Sequence, residues 1–401
     1  MIILSIDTSC DDTCIAILKI KNPCLAGRQT CLRRQEKSKI LGFEILSNII
    51  SSQVKLHKKY GGVWPYLAKR EHQKNLPIVF KEALQQARSK QKFEKPNLIA
   101  VTVGPGLEPC LWTGINFAKE LAQKLNLKII PINHIEAHII ANWLPSIRSK
   151  SKIKNPCLAG RQACLTDRQG KSKLIFPAIC LIVSGGHTQL ILMTSIRKLS
   201  FSKGAGKNWK YKIIGETRDD AAGECFDKTA RILGFSYPGG PEIEKISRFQ
   251  ILDSRFQIKL PRPMIHQKNY DFSFSGLKTA VLYLAKKLGP KKLKSYKLKA
   301  NICAEIQQAI IDVLIKKTIK AAKDFKARSI ILGGGVAANQ ELRKQFKEKI
   351  KKEIPDSKFQ IPDSKYCTDN GAMVAITAYF RWLKEDTKNW KKIKADANLK
   401  I

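Results

Sequence analysis

The pattern of apolar and polar positions over the first fifty residues predicts a β-hairpin followed by a third strand. The mainly apolar run Ile2–Ile6 ends in a polar turn at 7–12, and a second apolar run, Thr13–Ile20, follows that turn. Two short apolar runs joined by Asp, Ser and Thr residues are typical of paired antiparallel strands. A third strand is expected near Phe43–Ile50.

Helical periodicity follows. Residues recur at helical spacing over about 65–87, at Leu67, His72, Leu76, Val79 and Leu84. This spacing predicts a helix. Another apolar strand is expected at 98–103, where it ends in Gly104-Pro105-Gly106, and a further helix is expected to run to about residue 125.

The second half of the chain repeats this plan. Strands are predicted at 178–183, 188–193, 211–215 and 329–332, and helices at 220–233 and from about 337. Two halves of this kind predict an α/β protein with two similar lobes, mixed sheets flanked by helices, and an interlobe cleft that binds ligands. The length of 401 residues also favours two lobes, which we place at residues 1–131 and 132–401.

Two pairs of similar segments interrupt this plan. The segment 22–32 recurs almost unchanged at 155–165, and 247–255 resembles 357–365. The copies lie far apart in different surroundings, whereas the units of a solenoid follow one another in tandem. We therefore predict inserted loops at 21–40, 148–173, 247–258 and 354–366.

The chain is strongly basic, with a net charge of +40. The first two predicted insertions contribute +12, so the rest of the chain carries +28. This excess favours a polyanionic partner such as nucleic acid, although a generally lysine-rich composition is the alternative.

The expected location is the cytoplasm, without a membrane. The sequence has no apolar run of about 18 residues, which a membrane span requires. Its 11 cysteines show neither zinc-finger spacing nor a compact disulfide framework, so reduced thiols are the simpler interpretation.

Three turns carry candidate chemistry. The turn Ser184-Gly185-Gly186 can bring backbone N–H groups close to a phosphate, or it is an ordinary tight hairpin. The cluster Gly333–Gly335 precedes a helix, which suits a nucleotide but also simple packing. The acidic turn at 7–12 can orient a metal or accept a proton, or it is a solvated turn.

A fourth segment, at 219–228, begins a predicted helix with acidic residues. Asp219 or Asp220 is expected to cap that helix, and Asp227 lies far enough along it to bind ribose hydroxyls.

His134 and His138 form half of a possible metal site. Residues four apart lie on the same face of a helix, so both imidazoles can reach one ion. The intervening sequence differs from the zincin motif, in which Glu directly follows the first His. A third ligand must come from elsewhere, and Asp369 is the candidate unless it only caps a helix.

Taken together, these segments resemble the universal tRNA N6-adenosine threonylcarbamoyltransferase family (TsaD), a branch of the actin-like and sugar-kinase ATPase superfold. The resemblance covers nearly all of the chain outside the insertions. The motifs that carry it are Ile6–Thr13, Gly104–Leu107, His134–His138, Val183–Thr188, Asp219–Glu224, Phe226–Lys228, Tyr237–Pro241, Phe272–Lys278 and Cys367–Met373. The chain departs from the family at two positions. It has Tyr66 where members usually carry Glu, and Asp12 where they often carry Glu.

The resemblance implies a complete site. His134, His138 and Asp369 would hold one divalent metal ion, iron (Fe2+) or zinc, and Asp11 is a candidate catalytic residue. The residues that would bind the substrate threonylcarbamoyl-adenylate are Ile182, Val183, Ser184, Gly185, Gly186, Asp227, Gly240, Glu244 and Asn339.

The implied reaction transfers the threonylcarbamoyl group to N6 of adenosine 37 in tRNAs that read ANN codons, with release of AMP. A TsaB-like paralogue and a TsaE-like ATPase are the partners expected by analogy. Three other functions are alternatives. A sugar or acetate kinase is disfavoured by the paired histidines, and a metalloprotease would need the His-Glu-x-x-His pattern, which is missing. A tRNA-binding subunit without activity would tolerate loss of the histidines.

Overall fold

The computed structural model of the chain describes residues 1–21, 41–90, 95–145, 152–153, 174–195, 209–250, 258–383 and 386–401. Most of the predicted insertions at 21–40, 148–173 and 247–258 therefore lies outside the described residues. The predicted insertion at 354–366 is described, and part of it forms a β-strand.

A six-stranded mixed sheet, counted over the described residues, forms the framework of the first half in the order β5-β4-β1-β2-β3-β6. Its strands are β1 (Ile2–Asp7), β2 (Asp12–Lys21), β3 (Leu41–Ser52), β4 (Leu98–Gly104), β5 (Ile129–Asn133) and β6 (Lys152–Ile153). The β1–β2 and β2–β3 pairs are antiparallel, whereas β4 lies parallel to both β1 and β5. The predicted hairpin and third strand are confirmed.

Helices cover both faces of this sheet. The helices of the first half are α1 (Val54–His57), α2 (Pro65–Lys90), α3 (Glu108–Leu125) and α4 (His134–Ile140). Leu76 of α2 and Ile115 of α3 are buried with Ile6 and Ile15 on one face, while Ile139 of α4 lies with Ile3 on the other. The two helices predicted from periodicity are confirmed, and α2 extends three residues past its predicted end at 87.

A second mixed sheet, with five strands among the described residues, has the order β11-β10-β7-β8-β9. Its strands are β7 (Ala178–Val183), β8 (Thr188–Ser195), β9 (Trp209–Glu216), β10 (Ser329–Gly333) and β11 (Lys358–Gln360). The helices of this half are α5 (Ala222–Ile232), α6 (Gly239–Ser247), α7 (Ser275–Leu293), α8 (Tyr296–Asp324), α9 (Gln340–Glu353) and α10 (Gly371–Trp382).

The two sheets share one topology. In each, the first strand pairs antiparallel with the second and parallel with the fourth, and the fifth strand lies outside the fourth. This confirms the predicted α/β fold with two similar lobes. None of the described helices is long and apolar enough to cross a membrane.

The last helix returns to the first sheet. Ser5 Oγ donates a hydrogen bond to the carbonyl oxygen of Gly371 at 2.7 Å, and a Cβ at Gly371 would lie 2.5 Å from Ala16 N. Only a glycine therefore lets α10 approach β1 and β2 this closely. Since β5 also spans the expected boundary at residue 131, the division into 1–131 and 132–401 stays a prediction.

Candidate metal and substrate site

Helix α4 presents two histidines on one buried face. Its first residue is His134, and the side chain of Asn133 caps it by accepting a hydrogen bond from Glu136 N at 3.1 Å. The imidazoles of His134 and His138 are 6% and 1% exposed, and their ring centroids lie 4.7 Å apart. The short helix therefore holds both rings in one place.

Asp369 completes the group from the other half of the chain. Its Oδ1 lies 3.2 Å from His138 Nε2 and 3.4 Å from His134 Nε2. The alternative that Asp369 merely caps α10 is wrong, because Asn370 is the cap and accepts a hydrogen bond from Met373 N at 3.0 Å. The Asp369 carboxylate is therefore left to face the histidines.

Asp7 supports the group from behind. Its Oδ2 lies 3.2 Å from His134 Nδ1, and its Oδ1 accepts a hydrogen bond from Ser9 N at 2.9 Å. A carboxylate on Nδ1 fixes the orientation of an imidazole and directs Nε2 at the metal position. Asp7 was not singled out from sequence, although it lies in the acidic turn at 7–12.

The donor set fits a divalent transition metal. Two imidazoles and one carboxylate suit Fe2+ or Zn2+ with positions left open for substrate. The ligand atoms of His134, His138 and Asp369 lie within 4.8 Å of one another, the one such group in the described part of the chain. His138 Nε2 faces Asp369 Oδ1 at 3.2 Å, whereas Nδ1 makes no hydrogen bond to a described residue, an arrangement that is costly in a buried ring unless a ligand satisfies it.

Burial and the neighbouring charges shift the pKa values of all three side chains. Burial acts against protonation of His134, but Asp369 and Asp7 outweigh it and raise the pKa of His134 to about 10. Burial acts against ionisation of Asp369, but the two histidines outweigh it and lower the pKa of Asp369. Burial lowers the pKa of His138. Binding of a metal at Nε2 of His134 displaces a proton, as is general for histidine ligands.

A third imidazole lies near the pair. His187 follows Ser184-Gly185-Gly186, and burial together with the charges of His134 and His138 lowers its pKa to about 4. It lines a cavity of about 200 Å³ with Pro105, Ile135 and the C-terminal residues 397–401. No role was predicted for His187 from the sequence, although its place directly after the glycine turn is a usable signal.

The acidic turn of the first half reaches the second half. Tyr237 Oη donates a hydrogen bond to Asp11 Oδ2 at 3.4 Å, and burial raises the pKa of Asp11. Burial also raises the pKa of the neighbouring Asp12, to about 7. Asp11 therefore lies at the cleft between the halves with a carboxyl group that is readily protonated.

The corresponding turn of the second half is open. Gly185 and Gly186 are exposed, and a Cβ built on either would meet no atom within 4 Å. Ser184 holds the turn, because its Oγ accepts a hydrogen bond from His187 N at 3.1 Å. Ile182 and Val183 are fully buried at the end of β7, where Ile182 pairs with Gln189 and Gly333, and Val183 pairs with Thr188.

In the cluster Gly333–Gly335, the first two glycines are closely packed and the third has open space beside it. A Cβ at Gly333 would lie 2.8 Å from the His138 carbonyl oxygen, and one at Gly334 would lie 2.4 Å from that of Val183. At Gly335 the nearest atom would be 4.0 Å away, on Thr368. The packing interpretation therefore holds for Gly333 and Gly334, which let β10 approach the metal helix and β7.

The expected cap of α5 is wrong. Asp219 accepts a hydrogen bond from Phe274 N at 2.8 Å and so lies at the start of α7, while Asp220 pairs with Lys228 at 2.7 Å. The first amides of α5 bond instead to the β7–β8 hairpin: Ala222 N donates to Thr188 Oγ1, and Gly223 N donates to the Ser184 carbonyl oxygen. Helix α5 is thereby fixed to the open turn.

The remaining predicted residues lie around the same end of the second sheet. Asp227 Oδ1 accepts a hydrogen bond from Gly239 N, next to Gly240, at 2.6 Å. Glu244 Oε1 accepts one from Gln340 N at 3.2 Å.

Asn339 caps α9, because its Oδ1 accepts a hydrogen bond from Leu342 N at 2.9 Å. Its Nδ2 donates to Gln307 Oε1 at 2.7 Å. Asp227, Glu244 and Asn339 each carry a structural hydrogen bond, and their contact with substrate stays a prediction.

Comparison with known proteins places this geometry in context. The family model TsaD, tRNA N6-adenosine threonylcarbamoyltransferase, matches residues 44–163 and 161–376. A protein of that name from Thermosipho africanus is 40% identical over 401 residues, covering 100% of both chains. Another from Thermosipho melanesiensis is 44% identical and covers 94% of both chains, and one from Geobacillus kaustophilus is 38% identical over 93% of this chain and 90% of its own.

A solved structure shares the fold. The crystal structure of HypF from T. kodakarensis superposes with a TM-score of 0.52 at 12% sequence identity, over 98% of this chain and 49% of that protein. The chain thus spans about half the length of HypF. At this identity the likeness concerns the fold alone.

Proposed function

Because the chain belongs to the TsaD family of tRNA N6-adenosine threonylcarbamoyltransferases, we propose that it moves a threonylcarbamoyl group from threonylcarbamoyl-adenylate to N6 of adenosine 37 in tRNAs reading ANN codons. AMP leaves as the other product. The observation that carries the proposal is the buried group of His134, His138 and Asp369, which joins the two halves at the cleft. As a member of this family the chain is an acyltransferase, not a kinase or a protease.

The proposed cofactor is one divalent ion, iron (Fe2+) or zinc. His134 and His138 would hold it through Nε2 and Asp369 through a carboxylate oxygen, with Asp7 orienting His134. When bound, such an ion supplies a Lewis acid that polarises a carbonyl or acyl-phosphate oxygen.

The second half supplies the proposed site for the adenylate. Within Ile182–Gly186 the backbone is open at the two exposed glycines, Gly185 and Gly186, so their amides can approach an acyl-phosphate closely, whereas Ser184 N already donates to the His187 carbonyl oxygen at 2.8 Å. Gly240 and Asn339 lie at the starts of α6 and α9, and Asp227 and Glu244 lie in the middle of α5 and α6. These four residues offer hydrogen bonds for the ribose and base. Their convergence at one end of the sheet supports this assignment.

Asp11 is the proposed catalytic residue. The N6 nitrogen attacks the carbamoyl carbon, the bond from that carbon to the phosphate oxygen breaks, and the proton leaving N6 passes to the carboxylate of Asp11. A carboxyl group with a raised pKa accepts a proton more readily near neutral pH, and Asp11 has this property because of its burial. Most of the rate is expected from positioning and charge stabilisation.

The proposed partners follow from the charge and the family. A tRNA substrate is polyanionic, which suits the net charge of +40. The relatives' printed names also specify tRNA. We propose in addition a TsaB-like paralogue and a TsaE-like ATPase as partner proteins, and the cytoplasm as the location.

The test is reconstitution of the transfer. Purified protein with the candidate partners, enzymatically made threonylcarbamoyl-adenylate and an ANN-decoding tRNA is expected to yield modified adenosine, detected by nucleoside mass spectrometry. His138→Ala is expected to abolish the product, whereas His266→Ala, which changes an exposed histidine, is expected to retain it. Unmodified tRNA that still binds the wild-type protein would contradict the proposal and indicate a tRNA-binding subunit without activity.

A further inference from the structure

The exposed aromatic residues fall into two groups, one on each half of the molecule. Among the described residues they are Tyr60, Trp64 and Tyr66 near the start of α2, and Phe249, Tyr283 and Tyr296 around α7 and α8. Each is at least 50% exposed. Exposed aromatic residues in clusters mark interaction surfaces, whereas isolated ones need no explanation.

Each group contains a pair of rings in contact. The centroids of Tyr60 and Trp64 lie 5.6 Å apart, and those of Phe249 and Tyr296 lie 5.7 Å apart. The two pairs thus present rigid apolar faces to solvent. Tyr283 and Tyr66 have no such partner among the described residues.

Contacts connect the two pairs across the cleft. Gly61 follows Tyr60, and a Cβ at Gly61 would lie 2.9 Å from Nε of Arg231 on α5. The carbonyl oxygen of Arg231 accepts a hydrogen bond from Gly234 N at 3.0 Å, which begins the loop that carries Phe235.

On the other side of that loop, Lys299 Nζ lies 5.0 Å from the centroid of the Phe235 ring. Lys299 is on the first turn of α8, three residues after Tyr296. These contacts link one series of neighbouring residues, here called the aromatic band: Tyr60, Trp64, Arg231, Phe235, Lys299, Tyr296 and Phe249.

The cations of the band are available to a partner. Lys58 and Lys59 precede the first ring pair, and neither they nor Arg231 and Lys299 form an ion pair with a described carboxylate. Two nearby acidic residues are paired elsewhere, since Glu224 lies 2.9 Å from Lys228 and Glu244 lies 2.9 Å from Arg248. A third, Asp227, attracts Arg231 electrostatically without forming an ion pair with it. The band therefore combines unpaired positive charge with aromatic faces.

The band also passes the reaction centre. Phe235 precedes Tyr237 by two residues, and Tyr237 Oη donates to Asp11. A strand lying along the band would therefore run past the carboxylate at the mouth of the cleft.

We propose that the aromatic band binds the unpaired nucleotides that flank the reacting adenosine, with bases stacked on the ring pairs and phosphates held by the cations. This inference rests on the proposed function, whose substrate is an RNA with an exposed loop. Stacking on aromatic side chains beside a basic track is the usual way to bind single-stranded nucleic acid. An acidic protein would use the cations but would have no need of the ring pairs.

The experiment measures binding directly, without the transfer reaction. A labelled single-stranded RNA on the order of ten nucleotides long is titrated with the full chain by fluorescence anisotropy. Tyr60→Ala and Tyr296→Ala are each expected to weaken binding by about 10-fold, since one stacked base contributes that much affinity. The matched control Tyr283→Ala, which changes an exposed tyrosine outside the band, is expected to stay within about twofold.

A second readout reports the stacking itself. Single-stranded RNA is expected to quench the tryptophan emission of the wild type, and the quenching is expected to be lost in Trp64→Phe. A duplex RNA of equal charge is expected to bind without this quenching. Thermal melts of each variant show whether it is folded.

Three results would overturn the inference. The first is an equal loss of RNA affinity in Tyr283→Ala and Tyr60→Ala, and the second is unchanged RNA affinity in both Tyr60→Ala and Tyr296→Ala. The third is quenching of the tryptophan emission by duplex RNA as strong as that by single-stranded RNA. Because binding is measured apart from transfer, a failed transfer assay with these variant effects intact would contradict the proposed function and leave the band supported. Active transfer together with unchanged RNA binding in the variants would support the proposed function and contradict the role of the band.

Discussion

The two halves of the molecule place the candidate metal ligands at equivalent points of the same topology. In the first sheet the fifth strand, β5, leads directly into α4 and its two histidines. In the second sheet the fifth strand, β11, is followed by Asp369 and α10. The candidate metal centre is thus built where two repeated elements meet, so neither half holds a complete ligand set.

The turn between the first and second strands lies at the same point of the topology in each half, but the two turns differ in chemistry. In the first half this turn contains Asp7, which is fully buried, and Asp11, which faces the cleft. In the second half it contains Gly185 and Gly186, which are exposed. The comparison teaches that one scaffold can suit opposite charges: the carboxylates of the first half suit a cation, while the open backbone amides of the second half suit an anion.

The largest expected effect concerns the contact between α4, which carries the two histidines, and α10, which follows Asp369. Glu136 of α4 is 2% exposed and accepts hydrogen bonds from Arg381 Nε of α10 at 2.6 Å and from Tyr211 Oη of β9 at 3.2 Å. Glu136→Gln removes the buried carboxylate and leaves Arg381 only Asp386, whose Oδ2 lies 3.0 Å from Arg381 Nη1 in a more exposed place, so we expect a loss of about 3 kcal/mol in the free energy of unfolding. Urea denaturation measures it.

The double variant Glu136→Gln/Arg381→Met serves as the control. If the pair acts as a unit, removing both charges is expected to cost less than removing one. A single variant as stable as the wild type would show that the two helices do not depend on this contact.

Glycine at the second half's cleft is the next test. Gly334 has φ of +91°, and a Cβ there would lie 2.4 Å from the Val183 carbonyl oxygen. Gly334→Ala is therefore expected to lose about 2–3 kcal/mol of stability in thermal or urea unfolding. The neighbour Gly335 has room for a methyl group, so Gly335→Ala is expected to change stability by less than about 1 kcal/mol. Equal effects at both positions would contradict the packing role of Gly334.

The acidic turn of the first half is tested through metal affinity. Asp7→Asn keeps the size of the side chain but removes the negative charge from His134 Nδ1. Loss of such a supporting carboxylate is expected to weaken metal binding by about 10- to 100-fold. Titration with Zn2+ against a competing chelator measures the affinity. Asp12→Asn, from the same turn, is the control, and an equal loss there would mean that only overall charge matters.

The smallest expected effect concerns pH. Burial raises the pKa of Asp227 to about 6, above its ordinary value of 3.8. The folded state therefore keeps this proton longer than the unfolded state does, so ionisation of Asp227 lowers stability as the pH rises through this window. Asp227→Asn retains an acceptor for Gly239 N and is expected to gain about 1–2 kcal/mol at pH 8, with no gain at pH 3.

The same variant separates stability from function. If Asp227 binds substrate, as proposed, Asp227→Asn loses transfer activity while gaining stability at pH 8. Chemical denaturation at the two pH values and the nucleoside assay measure both. A variant that is less stable at pH 8 would show that the Asp227 carboxylate supports the fold.

Much of the fold follows from local pattern. The first two strands of each half are apolar runs bounded by turns, and they pair with each other as hairpins, so the apolar pattern alone locates them. The fifth strands were not predicted. β5 contains Pro131, and β11 has only three residues within a segment interpreted as an insertion, so both depend on pairing with β4 and β10.

The site was predicted less evenly. The His134 and His138 spacing indicates a shared helix face. The candidate third ligand, Asp369, lies more than 200 residues away, and the sequence pattern left open whether it only caps a helix until the family resemblance implied a ligand. The roles of Asp7 behind His134 and of Asp219 at α7 come from contacts that only the tertiary structure brings about. Local sequence carries no signal for such distant pairings.

The most direct test of the account is the metal content of the chain. The protein is purified, loaded anaerobically with Fe2+ or aerobically with Zn2+, desalted and analysed by mass spectrometry for metals. We expect about one ion per chain in the wild type and in the His266→Ala control, and almost none in His138→Ala or Asp369→Asn. Full metal content in Asp369→Asn would contradict the claim that the two halves share one centre.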